Sequence, residues 1–403
     1  MLLRCYPRIT DFIYNICERS PVADYRFLPI YSYGFFVACG FVIAAIFAAK
    51  EMKRREALGL LKGQPKQLIL DHTNANIEIL LYSILSFVIF FKLVGIIEYQ
   101  PELRTGDLQF KDFLQSIKLG SFGGGIIAAL TTAAISLYKR KQQPLKVETK
   151  IVTVYPSDNI GDLVVIAAVL GIIGAAFFNY LENPQDYTDF SADPLGSLFS
   201  GLSVFGGLIF AGTGFIAYAY WKKFSILHFV DSVAPGFILA NGIGRIGCHV
   251  AGDGDWGIAN PYIKPTWFPD FLWSNHYAYH IIECDPLKDV PIANCVEIGN
   301  CCQLAQAAYP TPLYELIMCT FIFVILWFLR KPATLLPGML FSVFMVLIGI
   351  QRLLIEQWRD LSGRETYIFL NADFRQSEIV SIVMMLTGIT ICILLWRKYK
   401  IRK

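Results

Sequence analysis

The chain has 403 residues, of which 55% are hydrophobic, 14% aromatic and only 17% charged, and its mean hydropathy is +0.49. A soluble protein carries nearer a quarter of its residues as Asp, Glu, Lys or Arg, so an ordinary soluble enzyme, a disordered chain and a collagen-like fibre are excluded. The net charge of +3, from 35 basic and 32 acidic residues, is too balanced for a nucleic-acid binder.

Runs of about 20 apolar residues are too long and uniform for barrel strands, and only helices or closed barrels satisfy backbone hydrogen bonds in lipid. The predicted spans, in chain order, are 30–49, 77–97, 119–138, 160–180, 199–220, 229–248, 313–329, 338–356 and 377–395. The expected fold is an all-α integral membrane protein, a single polytopic bundle of about nine transmembrane helices over 1–403. The first 28 residues lack an apolar core, so no cleavable signal peptide is expected. Of the 35 basic residues, 20 fall in 50–73, 139–159, 221–228, 330–337 and 396–403. The positive-inside rule then puts the N-terminus outside and the C-terminus in the cytoplasm.

The first span opens with Ile30-Tyr31-Ser32-Tyr33-Gly34, either part of a site or an aromatic belt. The next four spans form two hairpins alike at an offset of about 83 residues. One, 77–140, runs from Ile97-Glu98 through Ser121-Phe122-Gly123-Gly124 to Lys139-Arg140-Lys141. The other, 160–223, runs from Leu181-Glu182 through Val204-Phe205-Gly206-Gly207 to Lys222-Lys223. The shared order of Glu, Phe-Gly-Gly and basic cluster points to a parallel duplication, so 77–140 reads as an extra hairpin.

The sixth span closes in the densest polar segment, from Asn241 through Gly244-Arg245-Ile246-Gly247-Cys248-His249 to Gly252-Asp253-Gly254-Asp255-Trp256-Gly257. Arg at mid-bilayer costs about 2.5–3.5 kcal/mol on insertion scales, so its retention marks function. Its planar fork suits phosphate, and repeated Gly admits a close backbone approach. The alternative is an Arg that snorkels above a Gly-rich turn. The outer insert 250–312 follows, with Cys284, Cys295, Cys301 and Cys302. Disulfides are expected there, with all three pairings open. A zinc site lacks C-x-x-C spacing and a matching His pair, and no metal or cofactor is expected.

Span seven opens with Tyr309-Pro310-Thr311-Pro312-Leu313-Tyr314-Glu315. Thr311 fits an N-cap, Pro312 the first helical position and Glu315 the positive helix end. Span eight closes with Arg352-Leu353-Leu354-Ile355-Glu356-Gln357-Trp358-Arg359. Residues 352, 356 and 359 follow i, i+4, i+7 on one helix face, forming an anion clamp or an internal ion pair. These clusters lie at the outer ends of spans, at headgroup level, so lipid is the natural substrate. The inner halves are expected to carry no matching polar cluster, which argues against a transporter.

Taken in order, these stretches resemble the prolipoprotein diacylglyceryl transferase family. The likeness runs through Tyr33-Gly34, Gly171-Ile172-Ile173-Gly174-Ala175, Phe205-Gly206-Gly207-Leu208 and Asp231-Ser232-Val233-Ala234-Pro235. It continues through Gly244-Arg245-Ile246-Gly247, Pro310-Thr311-Pro312-Leu313-Tyr314-Glu315, Arg352 with Glu356, and Arg375-Gln376-Ser377. The resemblance implies transfer of diacylglyceryl from phosphatidylglycerol to the thiol of a prolipoprotein lipobox peptide, releasing glycerol phosphate. The setting is the bacterial cytoplasmic membrane, with the site on the outer side of the lipid bilayer. By motif position, Arg245 and Arg352 hold the phosphate, Glu356 and Asp253 orient them, and Tyr33 lines the site. Gly206, Gly207, Gly244, Gly247, Tyr314, Glu315 and Arg359 complete the substrate-binding set. Three departures stand out. Phe205 replaces the family His before Gly-Gly-Leu, and Cys248 replaces Asn after Gly-Arg-x-Gly. Ala251-Gly252-Asp253 replaces Asn-Gly-Glu, with an extra residue before Trp256-Gly257. His249 is then the candidate base. A lipid-binding paralogue that no longer turns over is the alternative from another class.

Overall fold

The computed structural model describes residues 5–16, 30–69, 75–105, 118–141, 149–182, 203–293, 300–359, 366–369 and 372–402, with positions 108, 113, 116 and 295. Its helices are α1 (Ile9–Ile16), α2 (Ser32–Ala57), α3 (Ala75–Glu98), α4 (Gln100–Thr105), α5 (Phe122–Lys141), α6 (Ile160–Glu182), α7 (Val204–Trp221), α8 (Ile226–Ala251), α9 (Asp270–Trp273), α10 (Thr311–Leu329), α11 (Met339–Glu356) and α12 (Gln376–Arg402). Six short strands form three two-stranded sheets: β1 (Gln64–Ile69) with β2 (Thr149–Val154), β3 (Asp289–Pro291) with β4 (Cys302–Leu304), and β5 (Thr366–Phe369) with β6 (Ala372–Arg375).

Among the described residues, seven helices are long and apolar enough to cross a membrane: Ser32–Ala57, Ile79–Glu98, Pro156–Leu181, Ile226–Ala251, Thr311–Leu329, Met339–Glu356 and Ser377–Lys400. Phe122–Tyr138 is a shorter apolar helix. The protein is thus mostly helical and of the membrane type.

The chain folds into two compact units. The larger comprises residues 1–7, 32–64 and 154–403. Its axis is α8, against which α2, α10 and α11 pack. Where α8 and α2 cross, a Cβ on Gly236 would lie 2.7 Å from the Ala44 carbonyl oxygen, and one on Gly40 would lie 3.0 Å from that of Ala240. Small residues let the two backbones touch, the usual way to hold helices together where lipid removes the hydrophobic drive. Ala234 and Ile238 of α8 meet Cys319, Ile322 and Leu326 of α10 and Leu340 and Phe344 of α11 in one buried core. Gly252 then ends α8 in the left-handed region, at φ 66°, its N–H donating to the Cys248 carbonyl at 2.9 Å. The segment between α8 and α10 holds the antiparallel β3–β4 pair, with Asp289 opposite Leu304 and Pro291 opposite Cys302. Of the three pairings the sequence leaves open, the structure forms Cys284–Cys302 and Cys295–Cys301.

The smaller unit comprises residues 8–31 and 65–153. In it α3 packs along α5. Lys92, inside α3, donates from Nζ to the carbonyls of Phe113, Ser116 and Leu119 at 2.7, 2.5 and 2.7 Å. Three acceptors use all three ammonium protons, which is how an apolar hairpin accommodates a lysine.

The first span runs on to Ala57 instead of ending at residue 49. Its closing charges, Glu51 and Arg55, are fully buried and paired, so they do not act as solvated loop residues.

Candidate functional site

At the end of the bundle where α8 finishes, α10 begins and α11 finishes, three arginines and three carboxylates form one chain of contacts. Arg245 of α8 sends Nε to Glu315 Oε2 at 2.8 Å and Nη1 to Asp255 Oδ2. Asp255 uses its other oxygen for Arg359 Nη2. Glu315, in the second turn of α10, also faces Arg352 Nη1 at 3.6 Å. Arg352 Nε lies 3.7 Å from Glu356 Oε2, one turn along α11. Glu356 accepts a hydrogen bond from Ser377 Oγ at 2.6 Å through its remaining oxygen. Glu315, Glu356 and Arg359 are nearly wholly buried, whereas Arg245 and Arg352 keep 15% and 22% of their side chains exposed. The guanidiniums in partial contact with the outside are therefore the two expected to hold phosphate.

Backbone geometry fixes this arrangement. Helix α10 begins at Thr311, with Pro310 at the cap position, so Thr311 is not the N-cap. Its hydroxyl donates to the Asp255 carbonyl at 2.6 Å, tying the segment after α8 to the start of α10. Helix α11 ends at Glu356, so Arg359 does not continue the helical face of Arg352 and Glu356. It joins through an antiparallel bridge with Gly257, and the Ile258 N–H donates to the Trp358 carbonyl at 2.9 Å. A Cβ on Gly257 would lie 2.5 Å from that carbonyl, so only glycine admits the approach.

Asp255, which the sequence does not single out from Asp253, bridges Arg245 and Arg359 as Glu315 bridges Arg245 and Arg352. Asp253 lies one step away, accepting the Asp255 N–H at 3.3 Å. Cys248 receives an Arg245 N–H at 3.7 Å. Cys248, Asp253 and Asp255 bring metal-ligand atoms within 4.8 Å of one another, but guanidinium groups already take both Asp255 oxygens. That place holds its cation. Ser377 stands in the sequence only as part of Arg375-Gln376-Ser377, and its spacing gives no sign that it reaches Glu356.

The remaining expected residues fall in three places. Tyr33 lies within electrostatic reach of Arg245, Cys248 and Asp253, and a Cβ on Gly247 would come 3.0 Å from its Cα. Gly244 has open space where a Cβ would stand. Tyr314 donates to the Leu272 carbonyl at 2.8 Å, anchoring α10 to the segment around α9. His249, one turn beyond Arg245, is buried, with Nδ1 3.2 Å from the Tyr277 hydroxyl. Burial pushes the Tyr277 phenol well above its ordinary range, so that hydroxyl stays protonated. Gly206 and Gly207 sit where α7 crosses α6, and a Cβ on Gly206 would lie 2.2 Å from the Gly174 carbonyl oxygen.

The other end of α8, which the expected orientation makes the inner one, also carries charge, against the expectation of bare inner halves. Arg55 Nε pairs with Glu51 Oε1 at 2.9 Å, and Arg55 Nη1 reaches Asp231 Oδ2 at 3.3 Å and His228 Nδ1 at 3.0 Å. Arg54 donates to Glu51 at 2.6 and 2.8 Å. Asp231 accepts the backbone N–H groups of Gly338 and Phe341 at 2.9 and 2.8 Å, capping the start of α11. Glu51, Arg55 and Asp231 have no exposed surface.

The sequence model of a family described as prolipoprotein diacylglyceryl transferase matches residues 146–394. Among curated relatives named phosphatidylglycerol–prolipoprotein diacylglyceryl transferase, one from Corynebacterium efficiens is 28% identical over 233 residues, covering 57% of this chain and 66% of the relative. Another, from Streptococcus uberis, is 26% identical over 272 residues, covering 66% of this chain and 88% of the relative. One from Corynebacterium glutamicum is 28% identical over 201 residues, covering 49% and 58%. The chain thus spans just under two thirds of the first of these relatives and most of the second.

Proposed function

Because the chain belongs to the prolipoprotein diacylglyceryl transferase family, we propose that it moves a diacylglyceryl group from phosphatidylglycerol to a cysteine thiol of a prolipoprotein. The observation that carries this reading is the meeting of two partly exposed arginines, Arg245 and Arg352, on the buried Glu315. A lipid phosphate has the charge and the bidentate geometry that guanidinium groups recognise. The thiolate sulfur attacks the glycerol carbon that bears the phosphate ester. A C–S bond forms as the C–O bond breaks, the electron pair leaves on the phosphate oxygen, and glycerol phosphate departs. Charge grows on that oxygen in the transition state, and two fixed guanidiniums in a low-dielectric site stabilise it there. Glu315, Glu356 and Asp255, supported by Asp253, hold the guanidiniums in place. His249 takes the thiol proton. Tyr33, Gly244 and Gly247 line the substrate space, with Tyr314 and Arg359 fixing its rim and Gly206 and Gly207 the neighbouring helix crossing.

The same reading places nine spans in the bacterial inner membrane, the N-terminus outside and the C-terminus in the cytoplasm. The site then faces the outer side, where prolipoprotein lipobox peptides and phosphatidylglycerol meet. The distribution of basic residues supports it. The test is complementation of a strain depleted of its own transferase, together with mass spectrometry of a model prolipoprotein. Diacylglyceryl on the lipobox cysteine is expected with wild type and not with Arg245→Ala. An inserted, well-expressed wild-type protein that leaves the substrate unmodified overturns the proposal.

Phe205, standing where the family carries His, favours a second reading: a lipid-binding envelope-assembly factor without turnover. It requires that Arg245→Ala and Arg352→Ala weaken phosphatidylglycerol binding while wild type releases no glycerol phosphate. Any turnover with a lipobox peptide excludes it.

A further inference from the structure

Away from the arginine network, the segment between α8 and α10 buries a second group of chemically active side chains. His280 has no exposed surface, Cys302 is 2% exposed, and the Asp289 side chain is 6% exposed. His280 Nδ1 lies 2.9 Å from the Ile282 carbonyl, a bond that requires the proton on Nδ1 and leaves a lone pair on Nε2. That lone pair points at Asp289 Oδ1, 3.5 Å away, and at Cys302 Sγ, also 3.5 Å away. Asp289 Oδ1 is buried without a hydrogen-bond partner, while Oδ2 accepts the Asp285 N–H at 2.8 Å. Three acceptor atoms therefore converge with no donor among them. A protonated ring would close the pair as an ion pair, but charge-assisted N–H···O bonds settle near 2.7–2.9 Å.

The separations instead match the edges of a coordination tetrahedron. Zinc holds nitrogen and oxygen at about 2.0–2.2 Å and sulfur at about 2.3 Å, so its ligands lie about 3.4–3.6 Å apart. The supporting contacts are also those of a metal site, because ligating histidines donate their other N–H to a carbonyl and ligating carboxylates are themselves hydrogen-bonded. The missing feature is a strong sulfur ligand, since Cys302 is joined to Cys284. We propose that reduction of the Cys284–Cys302 disulfide converts this cluster into a zinc site, with His280 Nε2, Asp289 Oδ1 and both sulfurs as ligands. An external dithiol supplies two electrons and two protons, becoming a disulfide itself, and yields two cysteine thiols. Zinc(II) then displaces both thiol protons to solvent. The bridge and the metal are alternative ways to close the same loop, with the Cα atoms of Cys284 and Cys302 6.1 Å apart.

The experiment uses the full chain in detergent, stripped with chelator and titrated with cobalt(II), with and without a phosphine reductant. Under reduction, one cobalt per chain is expected, with near-ultraviolet thiolate charge-transfer bands and the visible bands of tetrahedral cobalt, displaced by one equivalent of zinc. Without reductant those bands should be absent. Asp289→Asn and His280→Ala, which keep both cysteines, should each weaken cobalt binding at least tenfold, whereas a Cys295→Ser/Cys301→Ser double variant should retain it. Thermal melting of the oxidised variants reports whether the segment still folds. Cys284→Ser, which leaves the Cys295–Cys301 bridge, gives an independent measure of the sulfur contribution. Equal cobalt binding in the oxidised protein overturns the proposal. So does wild-type affinity in Asp289→Asn or Cys284→Ser, or loss of the bands in the 295/301 variant.

Discussion

Helix α8 carries a buried ionic network at each end, and the two differ in kind. Asp231 and Arg245 are 14 residues apart, about 21 Å along the axis. Around Asp231, Glu51 and Arg55 are sealed from solvent with it, both Asp231 oxygens accept backbone N–H groups, and Arg55 is held at 2.9–3.3 Å by three neighbours. Around Arg245, Glu315 and Glu356 are nearly as buried, but Arg245, Arg352 and Asp255 keep 15%, 22% and 19% of their side chains exposed, and Arg352 faces Glu315 and Glu356 at 3.6 and 3.7 Å. Burial of charge alone does not mark a binding site. A network sealed from solvent is a strut, and one whose arginines are partly exposed can bring a ligand to them.

Substitutions at the two ends should therefore separate activity from stability. The largest effect is expected from Arg245→Ala or Arg352→Ala, a loss of about 10³–10⁵ in transfer rate, the range for an arginine that stabilises a departing phosphate. Because Arg245→Ala also leaves the buried Glu315 with one partner fewer, the loss is read as rate per folded molecule, and Arg245→Lys should rescue poorly because it loses the planar fork. Next comes His249→Ala, with a loss of about 10²–10⁴ if it takes the thiol proton. His249→Gln should do no better, and phosphatidylglycerol binding should survive in both. Activity within threefold of wild type would reassign His249 to packing on Tyr277. At the opposite end, Arg55→Ala leaves Glu51 and Asp231 buried with fewer partners and should cost about 3–5 kcal/mol of stability. The rate per folded molecule should stay unchanged, and a selective loss of rate would erase the distinction between the two ends. The smallest effect belongs to Ser377→Ala. Removing one hydrogen bond to a charged group, about 1.5–3 kcal/mol, should lower the rate by roughly tenfold or somewhat more, with Ser377→Thr restoring most of it.

Apolar runs placed the helices, since a stretch such as 313–329 has no other stable form in lipid, and α10 covers it almost residue for residue. Charge placed one end of α2 wrongly. Glu51, Arg54 and Arg55 read as loop residues because a count of basic residues cannot tell a solvated arginine from one neutralised by a distant helix. Arg245, Glu315, Arg352 and Glu356 were legible, each being a costly charge in an apolar context. Asp255 was not, because it and Asp253 are equivalent in sequence and differ only through the Gly257–Arg359 bridge. Cysteine spacing likewise announced disulfides without choosing among them, since pairing depends on the β3–β4 register.

The cap that Asp231 places on α11 also sets an order of events during synthesis. Asp231 and Gly338 are 107 residues apart, and a ribosome adding about 5–20 residues per second needs roughly 5–20 s to cover that distance. Through this interval Arg55, made earlier, is the counter-ion available to Asp231 from the chain already translated. The pair thus acts first as a temporary partner for α8 during insertion and only later as part of a three-helix joint. A chain stalled before residue 338 would leave Asp231 without two of its three hydrogen bonds.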